Sequence, residues 1–131
     1  MAEDALAKAL AVQVEAARAG FDWPNISGVL EKLDEEIAEL CQALEIGDAA
    51  QVRREFGDLM LSVVNLSRFV EASPSQELEA ASQRFEERFD GLKLKLEAAG
   101  RAIKDCTLEE LDEVWEQVKT ELGSNGGSKV S

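Results

Sequence analysis

Histidine is absent from the 131 residues, and cysteine occurs only twice. The first absence removes zinc sites that need imidazole, His-based nucleophilic triads and the Glu-x-x-His pattern of di-iron bundles. The second leaves no disulfide framework, and a chain of this length fits one domain without staples. Cys41, set between Leu40 and Leu44, reads as partly buried and reduced; Cys106 lies in a connection. No Walker A loop, dinucleotide-binding glycine motif or internal repeat is present, so a triphosphate would have to be held by side chains and metal rather than by a glycine cradle. A long apolar run is missing and the N-terminus opens on acidic residues. Neither a membrane span nor a signal peptide is therefore expected, and the expected location is cytoplasmic. Basic patches are missing as well. The formal charge of −13 argues against duplex nucleic acid or an anionic membrane as partner. It does not argue against a nucleotide, because metal ions can bridge two sets of negative charge.

What the chain does have is helical periodicity. Residues 3–19 are Ala-rich with a modest apolar face (Leu6, Leu10, Val14, Ala17), and Gly20 ends them. A second helix is expected from about Gly28 to Leu44, with Leu30, Leu33, Ile37, Leu40 and Leu44 as its stripe. Gly47 breaks it. Asp48 is the expected N-cap of a third helix, with Gln51 completing a capping box, running to about Glu71. Its stripe is Val52, Phe56, Leu59, Val63, Leu66 and Val70, and it is apolar over most of its circumference. Ser73-Pro74-Ser75-Gln76 starts a fourth helix that stops at Gly100. Thr107 and Glu110 form a capping box for the last. The class is therefore all-α, an amphipathic bundle of about five helices. The breadth of the apolar surface on the third helix predicts a core completed by a homodimer or a dimer of dimers. The domain is expected over 1–122, and the Gly/Ser-rich stretch 123–131 reads as a disordered tail.

The second and third helices carry the chemistry. Glu36 and Glu39 are three apart and share a helical face, as do Glu55 and Asp58. If the two helices pack antiparallel across Gly47, the pairs can converge. Crowded carboxylates repel, and some would take up protons unless a cation intervenes. Magnesium, which takes oxygen ligands in near-octahedral geometry, removes the difficulty. Glu36 also borders the apolar stripe, which a merely solvated acidic face would not require.

The pattern Glu35-Glu36-Ile37-Ala38-Glu39, fifteen residues, then Glu55-Phe56-Gly57-Asp58 resembles the EExxE…ExxD signature of the MazG family of nucleoside triphosphate pyrophosphohydrolases. The likeness extends through GFDWPNISGVLEKLDEE (20–36), GDLMLSVVNLSRF (57–69), RFEERF (84–89) and EELDEVWEQVK (109–119). It is closest to the C-terminal catalytic unit of two-domain bacterial members. The resemblance implies hydrolysis of a nucleoside triphosphate to monophosphate and pyrophosphate. Glu36, Glu39, Glu55 and Asp58 would hold two or more Mg2+ ions, with Mn2+ able to substitute. Glu35 would act as proton acceptor or additional ligand. Arg84, Arg88 and Lys119 would serve as phosphate contacts, with Trp115 near the nucleotide. The family commonly has lysine where Arg84 stands, which keeps the charge but changes its geometry.

Trp23, Asn65 and Trp115 each carry a structural and a functional reading. Phe21 and Trp23 cap the bundle core, or Trp23 packs on a base or sugar. Asn65, inside an apolar stretch, ties helices together or approaches the ligand. By composition alone Trp115 is a core residue. Base preference is open: broad activity on ribo- and deoxynucleotides, housecleaning of aberrant ones, or specialisation for dUTP or dCTP. The competing class is a non-enzymatic acidic dimerisation or adaptor module.

Overall fold

The computed structural model describes residues 4–123. These form five α-helices: α1 (Ala5–Arg18), α2 (Ile26–Ile46), α3 (Ala49–Ser67), α4 (Pro74–Ala98) and α5 (Leu108–Leu122), with a 3₁₀ turn at Ile103–Asp105. The expected all-α class and helix count hold. The expected tail lies outside the described residues except for Gly123, which caps the C-terminus of α5. The helices belong to two compact units whose border falls within α4, between residues 77 and 78.

In the first unit α2 packs along α3, and α1 also lies against α3. Helix α2 begins two residues earlier than the sequence suggests. Asn25 turns extended, and its side chain accepts a hydrogen bond from the Ser27 amide at 2.9 Å, a cap contributing about 1 kcal/mol. The helix ends at Gly47, whose φ of 85° only glycine adopts freely and whose N–H still reaches the Ala43 carbonyl at 3.0 Å. Asp48 then caps α3, accepting from the amides of Ala50 and Gln51. The expected capping box is not formed, because the Gln51 side chain turns toward Glu55 instead. The regular part of α3 stops at Ser67 rather than near Glu71. Its last turns tighten into 3₁₀-type bonds, and the Ala72 amide returns to the Ser67 carbonyl across Glu71 at φ 55°.

The buried face of α2 is Val29, Glu36 and Ala43; that of α3 is Glu55, Val64, Asn65 and Ser67. Both faces are rotated from the expected stripes toward the carboxylates. Leu33 and Leu40 are half-buried, whereas Leu30, Ile37 and Leu44 stay exposed, as do Phe56, Met60 and Val63 on α3. Cys41 is exposed, contrary to expectation, because it falls on the side of α2 that α3 does not cover. Phe21 is 85% exposed and so does not cap the bundle core as expected.

In the second unit α4 and α5 approach closely at Gly91, where a Cβ would stand 2.8 Å from Val118 Cγ1. Leu92, Leu96 and Val118 are buried there. The capping box of α5 is complete: Thr107 Oγ1 accepts from the Glu110 amide at 3.1 Å, and Glu110 Oε1 accepts from the Thr107 amide at 2.8 Å. Among the described residues no helix is long and apolar enough to cross a membrane.

Candidate metal and nucleotide site

Packing α2 on α3 draws three carboxylates together. One oxygen each from Glu36, Glu39 and Glu55 lies within 4.8 Å of the others. Glu36 and Glu55 are 4% and 7% exposed, whereas Glu39 is open to solvent. Each buried carboxylate has one oxygen satisfied. Lys32 Nζ lies 2.9 Å from Glu36 Oε1, and Gln51 Nε2 donates to Glu55 Oε1 at 2.6 Å. The other oxygen of each, Oε2, is sealed from solvent with no hydrogen-bond partner. Leaving a buried carboxylate oxygen unpaired is expensive. Glu39's carboxyl is pushed above its ordinary range. The chief cause is that it meets the Glu55 carboxyl at hydrogen-bonding range, a contact that needs one of the two to carry a proton; the Glu36 charge comes second. Two orphaned buried oxygens and a third carboxylate that resists ionisation fit a divalent cation, which would satisfy all three. The cluster can hold a divalent metal.

Asp58 is exposed and not among the three clustered carboxylates; it lies one turn along α3 from Glu55 and has the shorter side chain. It does line a cavity of about 460 Å³ in the first unit, together with Glu36 and Lys32. Lys32 is not among the residues expected from the sequence, although its i,i+4 spacing to Glu36 is a signal for this contact. Glu35 is exposed and outside the cluster.

The cavity's far wall comes from the connection between α1 and α2 and from the C-terminal half of α3. It includes Phe21, Asp22, Trp23, Asn65 and Arg68. Trp23 lies against Gly28 so closely that a Cβ there would strike its ring, yet the residue remains 42% exposed. Asp22 holds this wall together. Its Oδ1 accepts from the Trp23 amide at 2.8 Å and from Arg68 Nη2 at 2.7 Å, 46 positions away in sequence. The Arg68 hydrogen bond keeps the Asp22 carboxyl below its ordinary range, helped by the Trp23 amide and opposed by partial desolvation. Arg68 Nε donates onward to Asn65 Oδ1 at 2.8 Å. Asp22, Arg68 and this role for Asn65 were invisible to spacing arguments.

The remaining expected site residues belong to the second unit. Arg88 is 5% exposed, near the α5 C-cap, and no carboxylate is paired with it among the described residues. Lys119, with its side chain 10% exposed, stands 3.5 Å from Glu116. Arg84 is exposed. Trp115 is half-buried and tilted against Phe85, ring centroids 5.2 Å apart, which agrees with its core reading.

The chain is thus an all-helical protein with an acidic cluster that could hold a divalent metal, beside a cavity of about 460 Å³. The family model for the MazG nucleotide pyrophosphohydrolase domain matches residues 25–91. The chain belongs to that family. It is 41% identical over 115 residues to the nucleoside triphosphate pyrophosphohydrolase/pyrophosphatase MazG of Thermotoga maritima, covering 88% of this chain and 44% of that protein. It is 35% identical over 117 residues to the nucleoside triphosphate pyrophosphohydrolase of Escherichia coli K12, with the same coverage. A shorter match, 33% over 68 residues, joins it to YabN of Bacillus subtilis, 52% of this chain and 14% of that protein. The chain spans less than half the length of these curated relatives.

Proposed function

We propose that this chain hydrolyses nucleoside triphosphates, ribo- or deoxyribo- and including non-canonical ones, between the α and β phosphorus atoms, releasing nucleoside monophosphate and pyrophosphate. The observation that carries the reading is the pair of orphaned buried oxygens on Glu36 and Glu55 beside Glu39. The activity for which the Thermotoga maritima and Escherichia coli relatives are named supports it.

Glu36, Glu39 and Glu55, with Asp58 at the cavity edge, would hold Mg2+, two or more ions, with Mn2+ able to substitute. Bound there, such ions supply a Lewis acid for phosphate oxygens and make water a competent nucleophile near neutral pH. The protein's own groups do the rest. Glu35 accepts the proton of the attacking water or adds a ligand. Trp23 offers an aromatic face to base or sugar. Arg88, Arg84 and Lys119 neutralise charge that builds on phosphate oxygens. Arg88 suits this task because it is buried with no carboxylate partner among the described residues. Trp115 is assigned to the nucleotide contacts on the resemblance alone.

The exposed apolar residues Leu30, Ile37 and Leu44 on α2 and Phe56, Met60 and Val63 on α3 support a homodimer, or a dimer of dimers, that covers them. The expected setting is cytoplasmic, with neither duplex nucleic acid nor a membrane as partner.

Product analysis tests the reaction. Supplied with Mg2+ and a panel of canonical and modified triphosphates, the chain should release pyrophosphate and monophosphate in equal amounts. Sequential orthophosphate, or no turnover with any triphosphate, contradicts it.

A further inference from the structure

Asn65 lines the cavity, is 8% exposed, and has its amide orientation dictated by its neighbour. Arg68 Nε can only donate, so the atom it meets at 2.8 Å must be the amide oxygen. Arg68 itself cannot swing away freely. Its two terminal nitrogens donate to the two oxygens of Asp22, at 2.7 and 3.3 Å. The relay from Asp22 through Arg68 to Asn65 therefore turns the amide oxygen toward Arg68 and leaves the NH2 as the group on offer. No protein group among the described residues accepts from that nitrogen, and it is not among the atoms sealed from solvent.

Position decides what the NH2 would read. Asn65 lies seven residues beyond Asp58 on α3, two helical turns or roughly 10 Å. A nucleotide whose phosphates sit at the carboxylates would place its sugar next and its base beyond it, toward Asn65. Its edge remote from the sugar would then face Asn65. In pyrimidines and purines that edge carries either an oxo group, which accepts, or an amino group, which donates.

We propose that the cavity prefers bases with an exocyclic oxo group on the edge remote from the sugar (uracil, thymine, guanine, hypoxanthine) over cytosine and adenine, and that Asn65 is the residue that discriminates. The inference rests on the reading of this cavity as the nucleotide site. Asp22 and Arg68 are positioning residues: they act through Asn65. An amino group facing the Asn65 NH2 would meet a second donor, because the amide oxygen that could accept from it is held toward Arg68.

The test uses non-hydrolysable α,β-methylene analogues in matched pairs, UTP with CTP and ITP with ATP, bound in the presence of Mg2+ and followed by calorimetry. The oxo member of each pair should bind about tenfold more tightly, the scale of one unpaired buried hydrogen-bonding group. Asn65→Asp, which offers a second acceptor oxygen to the cavity, should reverse the order in both pairs. Arg68→Gln frees the amide to rotate and should bring both ratios toward one. A variant that lowers both members equally without moving the ratio assigns Arg68 a purely structural role and overturns the relay. Equal wild-type affinities within both pairs, or tighter binding of the amino member, overturn the preference even if no variant folds. Binding of none of the four overturns it too. Pyrophosphate release from UTP is measured separately, so loss of the hydrolysis reading with the binding order intact leaves this inference standing.

Discussion

Lys32 Nζ stands 2.9 Å from Glu36 Oε1, one helical turn before it, and is the cationic partner of a carboxylate that is otherwise shut away from water. Glu36 charge raises the Lys32 amine above its ordinary range, first through that hydrogen bond. Removing the amine while keeping the stem, in Lys32→Met, should destabilise the metal-free chain by about 1 kcal/mol. The figure is held down by solvent around the lysine and held up by the buried charge left behind. Saturating Mg2+ should erase most of that loss, because the cation takes over the neutralisation. Thermal unfolding with and without Mg2+ checks this; an equal loss in both conditions contradicts it.

Glu39→Gln removes one ligand charge and one source of repulsion together. Turnover should fall by at least about a hundredfold, while the metal-free melting temperature stays level or rises because Glu39 no longer crowds Glu55. Steady-state kinetics and circular dichroism melts measure the two effects. Near-normal turnover in a folded variant refutes the assigned role.

Gly28→Ala places a methyl group where the Trp23 ring now lies, 2.8 Å from its Cδ2. The ring must move, while the helix itself gains propensity. Substrate affinity should weaken severalfold, with Trp23 more exposed to collisional quenching in a Trp115→Phe background. Unchanged KM and quenching would show that Trp23 does not pack on the nucleotide.

Acid should open the Asp22–Arg68 clamp in a predictable window. The folded-state pKa of Asp22 lies below its ordinary 3.8. Its contribution to stability is therefore complete above that value and is lost as pH falls through the lower, folded value. Trp23 fluorescence, in the same Trp115→Phe background, should change with a midpoint below pH 3.8. Asp22→Asn should abolish that step. A midpoint above it, or one indifferent to the substitution, contradicts the clamp.

These predictions separate what local sequence carries from what it does not. Helix caps are local, so Asp48, Ser73 and Thr107 were legible from residue type and spacing, and each accepts the expected backbone bond. The gathering of Glu36, Glu39 and Glu55 was legible because two helical faces joined by a tight turn at Gly47 have few ways to meet. Periodicity says which side of a helix is apolar, not how much of that side a neighbour covers. Hence Leu30, Ile37 and Phe56 were expected inside and lie exposed. The Asp22–Arg68 pair joins positions 46 apart, and no pattern in one sequence announces such a contact. Spacing alone makes Gln51 a capping residue; in the structure its side chain runs along the helix instead, Nε2 donating to Glu55 and Oε1 accepting from Arg54.

The account turns on a divalent cation entering among Glu36, Glu39 and Glu55 and bringing a triphosphate with it. Calorimetric titration of the metal-free chain with Mg2+, followed by an α,β-methylene triphosphate, tests it most directly. Saturable Mg2+ binding, followed by triphosphate binding that disappears when Mg2+ is chelated, is the predicted result. No Mg2+ binding, together with triphosphate binding unaffected by chelation or absent altogether, would contradict it and leave an acidic helical adaptor as the better description.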